Sequence, residues 1–396
     1  MEYHNLCRGC MEEKDTGKTC PRCGYDYASD PTSSHHLAPG TILQDKYLIG
    51  RVLGQGGFGI TYIAWDMTLD LKLAIKEFFP LGIVARSAGK PSMEVPTGER
   101  GEQYRYGLER YLEEAKTLAR FSEHPNIVTV RDFFKANSTA YMVMNYIEGL
   151  TLEEYINEAG GKITFSKTLD TIMPVLDALR EVHSLGIMHR DVSPDNIFIR
   201  KDGRVILINF GAARQEIREK SKSLSVILKA GYAPEEQYRS RGKQGPWTDI
   251  YAVAATMHRC ITGEIPPEAM DRMSEDELVP LSQLGVEIEP QREAALLKAL
   301  ALRAADRFQA VEEFQSELVS SPGTSRVREV YHASRPKEPV KKPEPGLQPE
   351  ERNRIIVPSN IERAAVGHDA DYYIDYTGGT IPIGELPIGA RVVDPS

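Results

Sequence analysis

One stretch constrains the fold more than any other: His189-Arg190-Asp191-Val192-Ser193-Pro194-Asp195-Asn196. Proline removes a backbone donor and fixes φ, so this polar segment reads as a loop and not as the interior of a helix or a ladder. Leu169, Ile172, Met173, Leu176, Leu179 and Val182 recur at helical spacing before it, and Val205-Ile206-Leu207-Ile208 follows as a buried strand. An Asp and an Asn at this separation on one loop bring a carboxylate to a substrate hydroxyl and an amide oxygen to a metal ion.

A second signal concerns phosphate. Gly54-Gln55-Gly56-Gly57-Phe58-Gly59 lies between the apolar runs Tyr47 to Leu53 and Ile60 to Ala64. Glycines at 54, 56 and 59 permit a tight hairpin whose backbone N–H groups approach phosphate oxygens. The same spacing occurs in dinucleotide-binding turns, but such a turn opens a helix and is followed by a strand ending in an acid. Here Ile60 to Ala64 reads as a strand and no such acidic strand end follows, which argues against a Rossmann-type dehydrogenase. Lys76 of Ala74-Ile75-Lys76 sits on an apolar strand, where an ammonium needs an anionic partner. Glu114 is the best carboxylate for it, on a helix patterned by Leu108, Tyr111, Leu112, Ala115, Leu118 and Ala119, with Glu113 as the competing candidate.

Taken in order with Asn209-Phe210-Gly211, Ala233-Pro234-Glu235, Asp249 and Arg307, these elements resemble the bacterial, eukaryotic-like Ser/Thr protein kinases. The resemblance implies an α+β, bilobal fold with a β-rich N-lobe and a helical C-lobe, and ATP in the cleft. It implies a nucleotide site made by Gly54, Gly56, Gly57, Phe58, Gly59, Thr61, Ala74, Lys76 and Phe198, with Met144 near the gatekeeper position and Asn145 to Ile147 along the hinge. Lys76 and Glu114 would orient the phosphates, Asp191 the substrate hydroxyl, and Asn196 with Asn209 would hold Mg²⁺. Glu235 and Arg307 look like the family's structural ion pair, and Asp249 like the anchor beneath the catalytic loop. The loop lacks the Ala-Ala-Arg-like pattern of tyrosine kinases, which favours Ser/Thr.

The match departs at two positions. Asn209 stands where the family has a metal-binding Asp, and Mg²⁺ prefers carboxylate to a neutral amide. Ser193 stands where Ser/Thr kinases usually carry a Lys near the γ-phosphate. The sequence therefore predicts ATP-dependent phosphoryl transfer to Ser/Thr of protein substrates, weakened or abolished by Asn209. The alternative is a nucleotide-binding pseudokinase that recruits partners through its N-terminal segment and tail. Arg214, Arg218, Lys220 and Lys222 surround Ser221, Ser223 and Ser225. A phosphate there would pair with Arg190 and order the segment; otherwise the stretch is a solvated basic loop.

Cysteine usage is uneven. Cys7, Cys10, Cys20 and Cys23 form two C-x-x-C knuckles within the first 23 residues, and the fifth, Cys260, stands alone on an apolar helical stretch that suits a packing residue. Four thiolates so spaced close around one structural Zn²⁺ in a short zinc ribbon; two disulfides or a rubredoxin-like iron are the alternatives. All four ligand positions are protein sulfur, so catalysis is not expected there.

The organisation expected is a four-Cys ribbon at 1–30, a linker at 31–44, a kinase domain at 45–318, a Pro- and charge-rich linker at 319–358 and a short β-like tail at 359–396, read as the start of a further domain. The formal charge of −9 gives no global pull toward nucleic acid or anionic lipid. No apolar run reaches about 18 residues and the N-terminus lacks the pattern of a signal peptide, so a cytoplasmic protein is expected.

Overall fold

The computed structural model of the chain describes residues 3–14, 16–28, 33–87, 89–210, 228–239, 242–320, 372–374 and 380–382. The N-lobe is one antiparallel sheet of six strands: β1 (Ile42–Leu43), β2 (Tyr47–Gly56), β3 (Gly59–Asp66), β4 (Leu71–Phe78), β5 (Val130–Ala136) and β6 (Thr139–Asn145), in the order β1-β2-β3-β4-β6-β5. The 22-residue helix α1 (Gly98–Ala119) packs on it through Tyr104, Tyr111, Ala115 and Leu118. Phe78 of β4 meets Tyr104 and Tyr111 with ring centroids 5.6 and 5.3 Å apart.

Burying a charge is costly unless it is paired, and the sheet contains one such pair. Glu77, fully buried on β4, accepts from Tyr141 at 2.7 Å, from Tyr62 at 3.0 Å and from both terminal nitrogens of Arg86. Arg86 also donates to the His35 carbonyl, and Leu37 N–H donates to the Tyr62 hydroxyl at 3.1 Å. The segment expected as a plain linker is thus laid onto the sheet. Leu37 and Leu43 of this segment are buried in the same core as Tyr62.

The C-lobe starts with β7 (Gly149–Thr151) and α2 (Leu152–Glu158), whose Thr151 and Glu154 form a reciprocal capping box. Then come α3 (Phe165–Ser184), β8 (Ile197–Arg200), β9 (Val205–Leu207), α4 (Glu235–Tyr238), α5 (Pro246–Thr262), α6 (Ala269–Arg272), α7 (Pro290–Ala299) and α8 (Val311–Val319). Strands β7, β8 and β9 form a small antiparallel sheet. Helix α5 is buried at every residue from Thr248 to Ile261, which makes it the axis of the lobe; Pro246 starts it, and Gly263 ends it at φ 86° in the left-handed region. Cys260 is fully buried on this helix, and burial pushes its thiol up to about 12.

The N-terminal knuckles fold against the outer face of β2 and β3. Leu6 and Met11 are buried against Leu48, Ile63 and Trp65, with Tyr146 of the expected hinge packed on the same cluster. Arg51 N–H donates to the Arg8 carbonyl at 2.8 Å, and Lys72 of β4 pairs with Glu12 at 2.6 Å. A Cβ at Gly50 would lie 2.3 Å from the Arg8 carbonyl oxygen, so glycine is what lets the backbones meet.

The chain divides into two units, Met1–Ser325 and Arg326–Ser396. In the second, β10 (Tyr372–Ile374) pairs antiparallel with β11 (Thr380–Pro382). The expected linker beyond residue 320, the rest of the tail, and the basic segment with Ser221, Ser223 and Ser225 lie outside the described residues. Among the described residues no helix is long and apolar enough to cross a membrane.

Candidate active site

The glycine-rich segment forms a hairpin in which Gly54 pairs with Thr61 and Gly56 with Gly59, leaving Gly57 and Phe58 as the turn. Two backbone bonds hold that turn over the end of β4: Phe79 N–H to the Phe58 carbonyl at 3.0 Å and Leu81 N–H to the Gly57 carbonyl at 2.9 Å. Gly54 and Gly57 have open space where a Cβ would stand, whereas a Cβ at Gly59 would lie 2.6 Å from the Glu77 carbonyl oxygen. The register then runs from Thr61 to Lys76 and from Ala74 to Met144, so the expected nucleotide residues of β3, β4 and β6 occupy one stretch of sheet. Phe198 is on β8, opposite Thr151 and Ile206, while Asn145 is the last residue of β6 and Ile147 follows it on the connection to β7.

Four side chains are joined across the two lobes. Lys76 Nζ donates to Asn209 Oδ1 at 3.2 Å, Asn209 Nδ2 to Asn196 Oδ1 at 3.0 Å, and Asn196 Nδ2 to Asp191 Oδ2 at 2.9 Å and to its carbonyl at 2.6 Å. Asn209 has φ 59°, in the left-handed region that Asn tolerates better than most residues, and Arg190 has φ 65°. Glu114 is buried on α1, one turn from Tyr111, whose hydroxyl donates to the Lys76 carbonyl at 2.7 Å. The glutamate therefore belongs to the helix face that meets β4 at the lysine.

Beneath the loop, Asp249 of α5 accepts from His189 N–H at 2.8 Å, Arg190 N–H at 2.7 Å and His183 Nε2 at 2.7 Å. Burial alone would raise its carboxyl, but the His183 bond, the nearby histidines and the Arg190 N–H together hold it below the usual carboxylate range. His189 accepts Asp191 N–H at Nδ1 and so directs its Nε2–H to the Ile208 carbonyl at 2.8 Å. Loop and Asn209 strand end are thereby fixed to each other through backbone and side chain together.

The expected ion pair of Glu235 with Arg307 is corrected by the structure. Arg307 binds Glu236 in a bidentate pair at 2.7 and 3.1 Å, both side chains buried, whereas the half-buried Glu235 pairs at 2.6 Å with Arg239, which is exposed. On a one-turn helix, adjacent residues point in different directions, and only Glu236 points at the Thr248 hydroxyl and Arg307. The doubled Glu235-Glu236 was the sequence signal that the choice was open. Gln237 of the same turn donates to the Arg190 carbonyl at 2.9 Å, and Lys229 Nζ donates to Ser193 Oγ at 2.8 Å; neither residue stands out in the sequence.

The donor sets differ in what they can hold. Four cysteine sulfurs lie within 4.8 Å of one another, with Cys7–Cys23 and Cys10–Cys20 both at 3.8 Å. A tetrahedral ion with Zn–S bonds of about 2.3 Å separates its sulfurs by about 3.8 Å, so the cluster fits zinc. All four are free thiols, which removes the disulfide alternative. At the loop, by contrast, Asn196 Oδ1 and Asn209 Oδ1 are neutral amide oxygens, each already accepting a hydrogen bond. That set is a poor fit to Mg²⁺ as it stands.

A six-stranded sheet over a helical lobe, with the hairpin and the Asp191 loop facing across the junction, defines a kinase-type catalytic unit. The family described as "Protein kinase domain" matches residues 47–295, and the chain belongs to it. Its relatives include the serine/threonine-protein kinase PknB of Mycolicibacterium smegmatis, 30% identical over 70% of this chain and 43% of that protein. PknA of Nostoc is 29% identical over 72% and 49%, and PrkC of Bacillus subtilis 27% over 79% and 46%. The chain thus spans less than half of these relatives. Among solved structures, the apo form of PpkA-294 is 35% identical, with a TM-score of 0.64 over 72% of this chain and all of that one.

Proposed function

We propose that this chain is an ATP-dependent Ser/Thr protein kinase whose turnover is held low by Asn209. The observation that carries the reading is the Asn209 side chain, which occupies the position of a metal ligand while donating its N–H to Asn196 Oδ1 at 3.0 Å. A carboxylate at 209 would present a second acceptor there, a pairing that a cation resolves. The amide satisfies Asn196 without one.

In this reading the hairpin from Gly54 to Gly59 covers the nucleotide, Lys76 and Glu114 set the phosphates, and Ala74, Met144 and Phe198 line the base site. Asp191 orients the substrate hydroxyl. Its oxygen bonds to the γ-phosphorus as the bond to the β,γ-bridging oxygen breaks; the hydroxyl proton passes to Asp191 and ADP leaves. Catalysis of this kind is mostly positioning and electrostatics, so one missing charge matters. The four-Cys cluster is assigned to structural zinc, the kinase domain to 45–318 and the tail to a separate segment.

The test is γ-phosphate transfer to mixed protein substrates, in Mg²⁺, by the natural chain and by Asn209→Asp. The expected result is a gain of about 10²-fold or more in the variant. No transfer by either would replace this reading with the nucleotide-binding scaffold, and equal transfer by both would show that Asn209 does not limit the rate.

A further inference from the structure

We infer that Lys229 supplies the cation with which the catalytic loop faces the terminal phosphate of ATP. The inference rests on the kinase reading above and names one more residue of that site. From Asp191 to Asn196 the loop reads Asp-Val-Ser-Pro-Asp-Asn, with two carboxylates and no lysine or arginine. A transferring phosphoryl group spreads negative charge over its oxygens, and fixed cations around it stabilise that charge. Lys76 brings one from the N-lobe side, where it is hydrogen-bonded to Asn209. A loop with only anions on the other side would repel the phosphates.

The structure brings a cation to it from another part of the chain. Lys229 Nζ donates to Ser193 Oγ at 2.8 Å and pairs with Asp195 Oδ2 at 2.5 Å. Ser193 is fully buried, so its hydroxyl is a fixed anchor, while the Lys229 side chain keeps 34% of its surface exposed. An ammonium has three N–H donors, and these contacts use two, which leaves one for a phosphate oxygen. The lysine is also fixed by its backbone: its carbonyl accepts Tyr232 N–H and Ala233 N–H, both at 3.1 Å, in the turn that leads to α4. From α4, Gln237 reaches back to the Arg190 carbonyl. The segment is therefore stitched to the catalytic loop on both sides of Asp191. Ser193 thus holds a lysine that comes from the 228–234 segment.

The same contacts would serve a bridge that only closes the segment onto the loop, so the test reads the phosphate itself. Affinities for ATP and for ADP are measured by calorimetry on the full chain in Mg²⁺. Lys229→Met is expected to weaken ATP about tenfold and leave ADP nearly unchanged, the size of one charge-assisted hydrogen bond. Adding Ser193→Lys to that variant returns the cation to the loop and restores the ATP preference. Asp195→Asn, which breaks the ion pair but keeps the ammonium, is expected to retain it. An unchanged ATP-to-ADP ratio in Lys229→Met, or the same loss in Asp195→Asn, makes Lys229 a structural bridge and overturns the inference. The readout is binding: failure of phosphate transfer in both the natural chain and Asn209→Asp would overturn the activity reading alone, whereas absence of nucleotide binding would overturn both.

Discussion

The amide of Asn209 donates to Oδ1 of Asn196 across 3.0 Å, so the two side chains that face each other at the base of the cleft satisfy one another without a cation. Asn209→Asp turns this donor–acceptor pair into two acceptors. Without Mg²⁺ the variant is expected to be less stable than the natural chain by about 1–3 kcal/mol, the cost of unsatisfied partners, and to recover when Mg²⁺ is added. Thermal unfolding with and without Mg²⁺ checks this; a variant whose melting ignores the ion would count against the metal position.

Arg307 and Glu236 form a buried pair, while the neighbouring Glu235 pairs with the exposed Arg239. Removing one partner of a buried pair strands the other charge. Glu236→Gln should therefore cost about 3–5 kcal/mol, and Glu235→Gln less than about 1 kcal/mol. Urea unfolding of the two variants separates the assignments; equal losses would contradict the geometry.

The four-Cys cluster is expected to hold one zinc per chain, released by a thiol-reactive mercurial and counted with a chromogenic chelator. Cys10→Ser should lose the metal and lower the melting temperature, because metal binding supplies folding energy to a segment too short for its own core. Gly50→Ala offers a second route that leaves the cysteines intact. Its methyl would meet the Arg8 carbonyl and Met11, which should loosen the ribbon from the sheet at a cost of about 1–3 kcal/mol with zinc retained. Loss of zinc from Gly50→Ala would show that ribbon folding and docking are not separate, and no loss of stability would contradict the close approach at Gly50.

His258 is buried on α5, and its desolvation pushes the imidazole below the usual histidine range, although Nδ1 donates to the Glu264 carbonyl at 3.1 Å. A depressed histidine favours the neutral folded form. Its contribution is fully present above about pH 6.5, the unfolded value, and is lost as pH falls toward the folded value. The stability of the natural chain should thus decline below about pH 6.5 more steeply than that of His258→Gln. Denaturant midpoints between pH 7.5 and 5 measure the difference, and parallel slopes would remove His258 as a contributor.

Much of this architecture is legible in the chain itself because it depends on local rules. Glycines between two strand-like apolar runs favour a hairpin, and Gly56 and Gly59 pair across one. Paired C-x-x-C knuckles bring four sulfurs together through short-range chelate geometry. The order of Lys76, Asp191, Asn196 and residue 209 carries the family, and the identity of Asn209 alone foretells a missing charge. What the sequence could not decide depends on where distant segments meet. Nothing local makes Glu236 rather than Glu235 turn inward; α5 and Arg307 decide it. Nor does any motif bring Lys229 to Ser193, seat the ribbon on β2 and β3, or aim the Asn209 N–H at Asn196. These contacts join residues far apart in the chain, and their geometry follows from packing of whole elements, which residue spacing does not encode.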